Sequence, residues 1–225
     1  MEDVRLLEVV TPAPNQDLVT LADVRDELGA ARGQDTRLKR YITSASSIIA
    51  THTRRVWREE TVIETFYSSY FGGYGYGWGW GWGWQHSHRH DGKPKPLVLA
   101  RYPVSSITSV WSGADLLDPA GYFVDKDKGL LYQWDGATIM PWTHCANTVA
   151  VTYVAGYSLA DVPPDVQQAA MTAIRVRYFS HGRDPYLRSI NVPGVQEESY
   201  WAGPDQSALP PEAVGLLEKH IDMRM

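Results

Sequence analysis

Hydrophobic positions follow two periods along this chain, helical at both ends and strand-like in the middle. In VTLADVRDELG (19–29), Thr20 is placed to cap a helix, with Asp23 three residues on as a shortened capping box. Leu21, Val24 and Leu28 then share one face, and Gly29 stops the helix. From Asp35, the residues Leu38, Tyr41, Ile42, Ala45, Ile48 and Ile49 recur at i, i+3, i+4 and i+7, which predicts a second, longer helix. From Thr61 the period falls to two. TVIETFY, PLVLARY, SITSVWS, GYFVDKD, GLLYQW and NTVAVTYVAG are short β-branched or aromatic runs divided by Gly, Pro and Asp. DKDKG (125–129) reads as a hairpin turn between two of them.

Helical spacing returns after VPPD. Pro163 and Pro164 suit a first turn, and Val166, Ala169, Ala170, Ala173 and Ile174 form a small-residue face that another helix can approach closely. Gly182 is the expected stop. Residues 183–209 show no periodicity, the pattern of a disordered stretch or a contact arm. PPEAVGLLEKHIDMRM (210–225) then sets Val214, Leu217 and Ile221 on one face. Glu212 opens that helix and Lys219, His220 and Arg224 close it, the charge order that a helix dipole favours.

These periods predict an α+β fold: a small helical bundle with a β-rich insertion and a C-terminal docking helix. The expected parts are an N-terminal segment (1–17), a helical core (18–58 and 162–182), a β-rich region (59–158) holding a Gly/aromatic insertion at 72–95, and an arm with its terminal helix (183–225).

Composition adds exclusions. The 225 residues carry a net charge of −5, which argues against gripping nucleic acid by bulk electrostatics. One cysteine, Cys145, leaves no internal disulfide and fits folding in a reducing cytoplasm. MEDVRLLEVVTP lacks the apolar stretch of a signal peptide, and no run has the length of a membrane span.

Catalytic signatures are missing from the sequence. There is no phosphate-binding G-x-x-x-x-G-K-[ST] and no G-x-S-x-G nucleophile elbow. His144 beside Cys145 reads as a half-buried thiol next to a histidine, because catalytic dyads converge from distant segments. DKDKG also fails as a calcium loop: Gly129 falls one place early and Gly136 stands where the closing Glu belongs. Arg37, Lys39, Arg40, Arg54, Arg55 and Arg58 give the second helix a basic polar face, read first as a solvated face. His86, His88 and His90 are the metal candidates, since an extended strand would put them on one side. Such tracts also arise on loops without a metal role, so no metal and no cofactor is assigned.

The stretch GYGYGWGWGWGWQHSHRH (73–90) is the most unusual. In a strand, Tyr74, Tyr76, Trp78, Trp80, Trp82 and Trp84 would share one face as an aromatic ladder backed by glycine. Exposed, such a face is a large apolar patch. Three readings stand: a flexible insertion, a platform stacking sugars or bases, and a protruding hairpin buried only against another chain. The third is favoured, because glycine on one face leaves space for a neighbour's rings.

Several segments taken in order resemble one family. TLADVRDELG, DTRLKRYITSASSIIATHTRRVW, RYPVSSITSVW, VAVTYVAGY and VPPDVQQAAMTAIRVRYFSHGRD, over residues 18–185 without the insertion, are similar to the head–tail connector (adaptor) proteins of tailed bacteriophages and gene transfer agents. The resemblance implies a structural virion protein without catalysis, made in the host bacterial cytoplasm and built into the particle's head–tail connector. It implies a homo-oligomeric ring, typically of twelve subunits, beneath the portal. Such a ring extends the DNA channel past which double-stranded DNA slides without specific binding, and offers a surface to the next connector or tail protein. It further implies that the C-terminal segment reaches the portal, with Val214, Leu216, Leu217 and Ile221 as the docking residues. The Gly/Trp ladder departs from the family pattern. A nucleic-acid or carbohydrate-binding module using the ladder as a stacking platform is the competing reading.

Overall fold

A computed structural model describes residues 5–31, 33–67, 96–140, 142, 148–181, 189–192, 196–199 and 209–224, the stretch 189–199 by its backbone alone. The chain divides into two compact units: residues 1–13 with 59–156, and residues 14–58 with 157–225. The fold is α+β; in chain order residues 59–156 of the β unit are inserted into the helical one, and its first segment, 1–13, precedes both.

The helical unit contains α1 (Leu21–Leu28), α2 (Asp35–Thr53), α3 (Pro164–Phe179) and α4 (Pro211–Leu217), with a 3₁₀ turn at Glu218–His220. Thr20 caps α1 as its spacing predicts: its hydroxyl accepts from the Asp23 N–H at 3.1 Å and donates to the Asp23 carboxylate at 2.6 Å. Gly29 ends the helix at φ +58°, a left-handed conformation that costs glycine nothing. The core is the sum of the predicted faces. Val24, Leu38, Ile42, Ala45 and Ile49 meet Val166, Ala169, Ala170, Ala173 and Ile174, and all are buried. Alanines on α3 leave room for α2 to lie close. Where the chain leaves and re-enters this unit, Arg58 and Tyr157 form a parallel bridge, and the Tyr157 N–H donates to the Trp57 carbonyl at 2.7 Å.

The β unit contains β1 (Arg5–Thr11), β2 (Glu60–Tyr67), β3 (Leu97–Val98), β4 (Val104–Ser112), β5 (Asp115–Leu116), β6 (Tyr122–Asp125), β7 (Leu130–Trp134), β8 (Ile139–Met140) and β9 (Thr148–Ala155). Five strands run in the order β1-β2-β9-β4-β5, every neighbouring pair antiparallel. The second sheet is β3-β7-β6, with β8 on β7. Side chains from both sheets share one core, in which Val62, Phe66, Val151 and Tyr153 lie with Leu97 and Leu131. DKDKG is the β6–β7 turn, with Gly129 at φ +63°.

Three expectations change. The N-terminal segment is a strand, β1, carried by pairing with β2. PLVLARY yields a strand only at its Leu97–Val98 pair. Within the aperiodic 183–209 stretch lies a hairpin, β10 (Ser189–Val192) against β11 (Gln196–Ser199). Gly182 lies outside the described residues.

Candidate functional site

The C-terminal segment was expected to meet another protein. In the structure it closes the core of its own unit. α4 packs on α3, with Leu209, Ala213 and Leu217 fully buried in the helical core and Val214 and Leu216 half-buried against it. Leu217, at 0 % exposure, is therefore a core residue of this fold. Val214, Leu216 and Ile221 keep part of their surface in solvent.

Past α4 the tail is tied to the end of α2. The Asp222 N–H donates to the Thr53 carbonyl at 2.9 Å, and the buried Asp222 carboxylate accepts from Arg224 Nε at 3.0 Å and Nη2 at 3.1 Å. Burial alone would raise this carboxyl, but the Arg224 hydrogen bonds prevail and hold it below the ordinary Asp range. Trp57 is the centre of the arrangement. Its indole N–H donates to the Thr53 hydroxyl at 3.0 Å, which itself donates to the Ile49 carbonyl at 2.8 Å. Tyr157 stacks on the indole at 5.9 Å between centroids, and His220 meets it edge-on at 5.5 Å. The Arg55 guanidinium lies 4.5 Å from the ring centroid, a cation–π contact. Lys219 pairs with Asp165 near the start of α3, and the same carboxylate lies 3.6 Å from His220 Nε2. Burial pushes the imidazole below its usual value and outweighs that carboxylate.

A second polar cluster lies inside the β unit, and the sequence reading missed it. Glu60, Val62, Glu64 and Phe66 all point to the buried side of β2. Glu64 accepts from the Tyr153 hydroxyl at 2.7 Å and the Ala100 N–H at 2.9 Å, and Arg5 Nε lies 2.8 Å away. Glu60 accepts from Arg101 Nε at 2.7 Å. Burial is the main influence on Glu64 and raises its pKa, against the opposing Ala100 N–H and Arg5. Tyr153 is pushed far above the usual phenol value, by burial first and by the Glu64 charge second. At 0 % exposure Glu64 cannot reach a substrate, so the cluster joins β1, β2 and β9 and the loop at 100–101. The signal was present in ETVIETFY: two glutamates stand at the positions that alternate with apolar ones on the buried face.

Elsewhere, Lys39 and Arg40 are exposed along α2, beside a shallow groove lined by Thr36, Thr43, Ser44 and Ser47. Arg177 of α3 donates to the Ser44 hydroxyl there. Among the described residues no three His, Cys, Asp or Glu side chains gather as a metal site. The aromatic ladder (Tyr74 to Trp84), the metal candidates His86, His88 and His90, and the His144–Cys145 pair lie outside the described residues. No described helix is long and apolar enough to cross a membrane.

The fold can be set beside solved structures. The chain is similar to a chain in the neck of an empty gene transfer agent (GTA) particle, computed with C6 symmetry. There the TM-score is 0.55 and the identity 18%, over 98% of this chain and 97% of that one. It is also similar to a chain of the virion of the native particle, with a TM-score of 0.50 and 20% identity over 84% and 89% of the two chains. No family model and no curated protein matches the sequence. What is shared is a fold: the α+β architecture here is one also found in a chain of the neck of a gene transfer agent particle. The expected likeness to gene transfer agent proteins therefore holds for the fold.

Proposed function

We propose that this chain is a structural virion protein, a head–tail adaptor. Its copies form a ring beneath the portal, extend the DNA channel and join the head to the next connector or tail component. The carrying observation is the fold likeness to a GTA neck chain over 98% of this sequence. The segments that carry the sequence resemblance are structural joints of this fold. RYPVSSITSVW leads through Pro103 into β4, while VAVTYVAGY is β9 and the re-entry to the helical unit at Tyr157. The acidic charge suits a channel wall along which DNA slides, since a basic wall would hold its phosphates.

The ring is proposed to hold twelve copies, a number compatible with sixfold averaging of the neck. Portal contact falls to the half-exposed residues of the C-terminal segment, Val214, Leu216 and Ile221, while Leu217 keeps α4 on its core. The ladder from Tyr74 to Trp84 is proposed to meet a neighbouring subunit, the capsid or a tail protein. No catalytic role is assigned. Electron microscopy of particles labelled with an antibody against this chain tests the reading. Label at the single vertex between head and tail is expected, and label spread over the shell or at the tail tip would refute it.

A further inference from the structure

One row of side chains crosses the whole outer face of the five-stranded sheet. The pairing registers place Leu6 of β1 opposite Thr65 of β2, Thr65 opposite Ala150 of β9, Ala150 opposite Trp111 of β4, and Trp111 opposite Leu116 of β5. The small Thr65 and Ala150 form the floor, and the large apolar groups stand at the two margins. Leu6 is 56 % exposed, Trp111 41 % and Leu116 58 %, and none of the three belongs to either hydrophobic core. The alternate row on the other face, through Glu64 and Val151 to Val110, is buried. The sheet thus has a complete inner face and an outer row whose apolar ends are open.

Both margins are also strand edges. β1 and β5 end the strand order, so among the described residues no strand pairs with their far sides. β1 is a seven-residue apolar strand, RLLEVVT, guarded only by Arg5, Glu8 and a bulge at Val10. Folded proteins shield such edges with short strands, lysine or proline unless something covers them. One margin carries a protruding leucine and the opposite margin a tryptophan–leucine pair, so the two surfaces differ and can meet head to tail. A contact between unlike patches, repeated around an axis, builds a ring when its rotation closes, whereas a patch that pairs with itself gives only a dimer.

We infer that in the assembled ring the β1 edge of one copy meets the β4–β5 edge of the next copy of this chain, with Leu6 seated against the neighbour's Trp111 and Leu116. The inference rests on the ring reading above and identifies the surface through which copies join. The strand directions are fixed as well: β1 and β5 run parallel within the sheet, so a copy placed side by side presents β1 parallel to its neighbour's β5, the strand that carries Leu116.

The test uses the full chain with its one cysteine replaced (C145S), carrying L6C and L116C together or singly, bound to portal-containing capsids and mildly oxidised. The double variant should give a ladder of disulfide-linked oligomers up to the ring, while each single variant stays uncross-linked. Rings seen on those capsids by microscopy without that ladder would overturn this contact and leave the ring reading standing. Efficient cross-linking of L6C alone would overturn it too, because two β1 edges would then be meeting. A chain that does not join the capsids defeats both readings. L6D, at a site more than half exposed, should lose the ring from the capsids with an unchanged unfolding midpoint. Rings that persist in L6D would count against the contact.

Discussion

Arg5 on β1 and Glu64 on β2 form an ion pair of 2.8 Å across the edge of the five-stranded sheet, with the carboxylate wholly buried and the arginine part exposed. Few side chains of β1 reach the core, Leu7 being half-buried against it. The strand is therefore held by its ladder to β2 and by this one charge. Replacing Arg5 by Ala should cost about 1–3 kcal/mol, the range for leaving a buried polar partner unsatisfied. Glu64→Gln should recover part of the loss, since an amide needs no counter-charge. Urea unfolding of R5A, E64Q and the double variant reads this as non-additivity. Strictly additive losses would mean the two residues act independently.

The same carboxyl sets a pH dependence. Burial raises Glu64 above the ordinary glutamate value of 4.5. In the window above 4.5 the folded chain therefore keeps a proton that the unfolded chain releases. Stability from this site is fully present below 4.5 and is lost as pH rises through the folded value. E64Q removes the titration, so its unfolding midpoint should fall less than that of wild type across that interval. Parallel curves for the two proteins would rule this out.

How far this fold was legible depended on whether a residue's partner lies nearby in sequence. Thr20, Asp23 and Gly29 define α1 by themselves, and the α2 and α3 faces repeat over several turns, so those elements could be read directly. RLLEVVT does not alternate, and its strand identity comes from pairing with β2, whose partner residues lie 50 to 61 positions on. For the C-terminal helix, amphipathicity showed that one face must be buried but not against what. Leu217 finds α3 in the same unit, because the chain after the 189–199 hairpin returns to it. The Glu64 cluster was written in ETVIETFY as a break in binary pattern, yet Arg5 and Tyr153 as partners required the sheet order.

Leu217 and its neighbours on α4 separate packing from docking. Leu217→Ala removes a fully buried side chain and should cost about 2–5 kcal/mol, the range for such core truncations. Val214→Asp with Leu216→Asp places charge on half-exposed positions, so portal-containing capsids should lose the protein while most of its stability remains. Capsid docking unaffected by the double substitution would remove these residues from the portal contact.

The tail lock around Trp57 makes a related prediction for the end of the chain. Trp57→Ala deletes a side chain at 1 % exposure and with it the contacts to Tyr157, His220 and the Thr53 hydroxyl. A loss of about 3–5 kcal/mol is expected, accompanied by faster tryptic cleavage at Lys219. Acid should loosen the same segment. Burial holds His220 below the ordinary histidine value of 6.5, so stability from its neutral form is present above 6.5 and is lost as pH falls through that value and below. The cleavage rate in wild type should accordingly rise on going from pH 7.5 to 5.5, after correction for trypsin's own pH profile. H220F, which keeps a ring against Trp57 and cannot take up a proton, should show a flatter response. Cleavage that is pH-independent in wild type, or equally steep in H220F, would separate the lock from this imidazole.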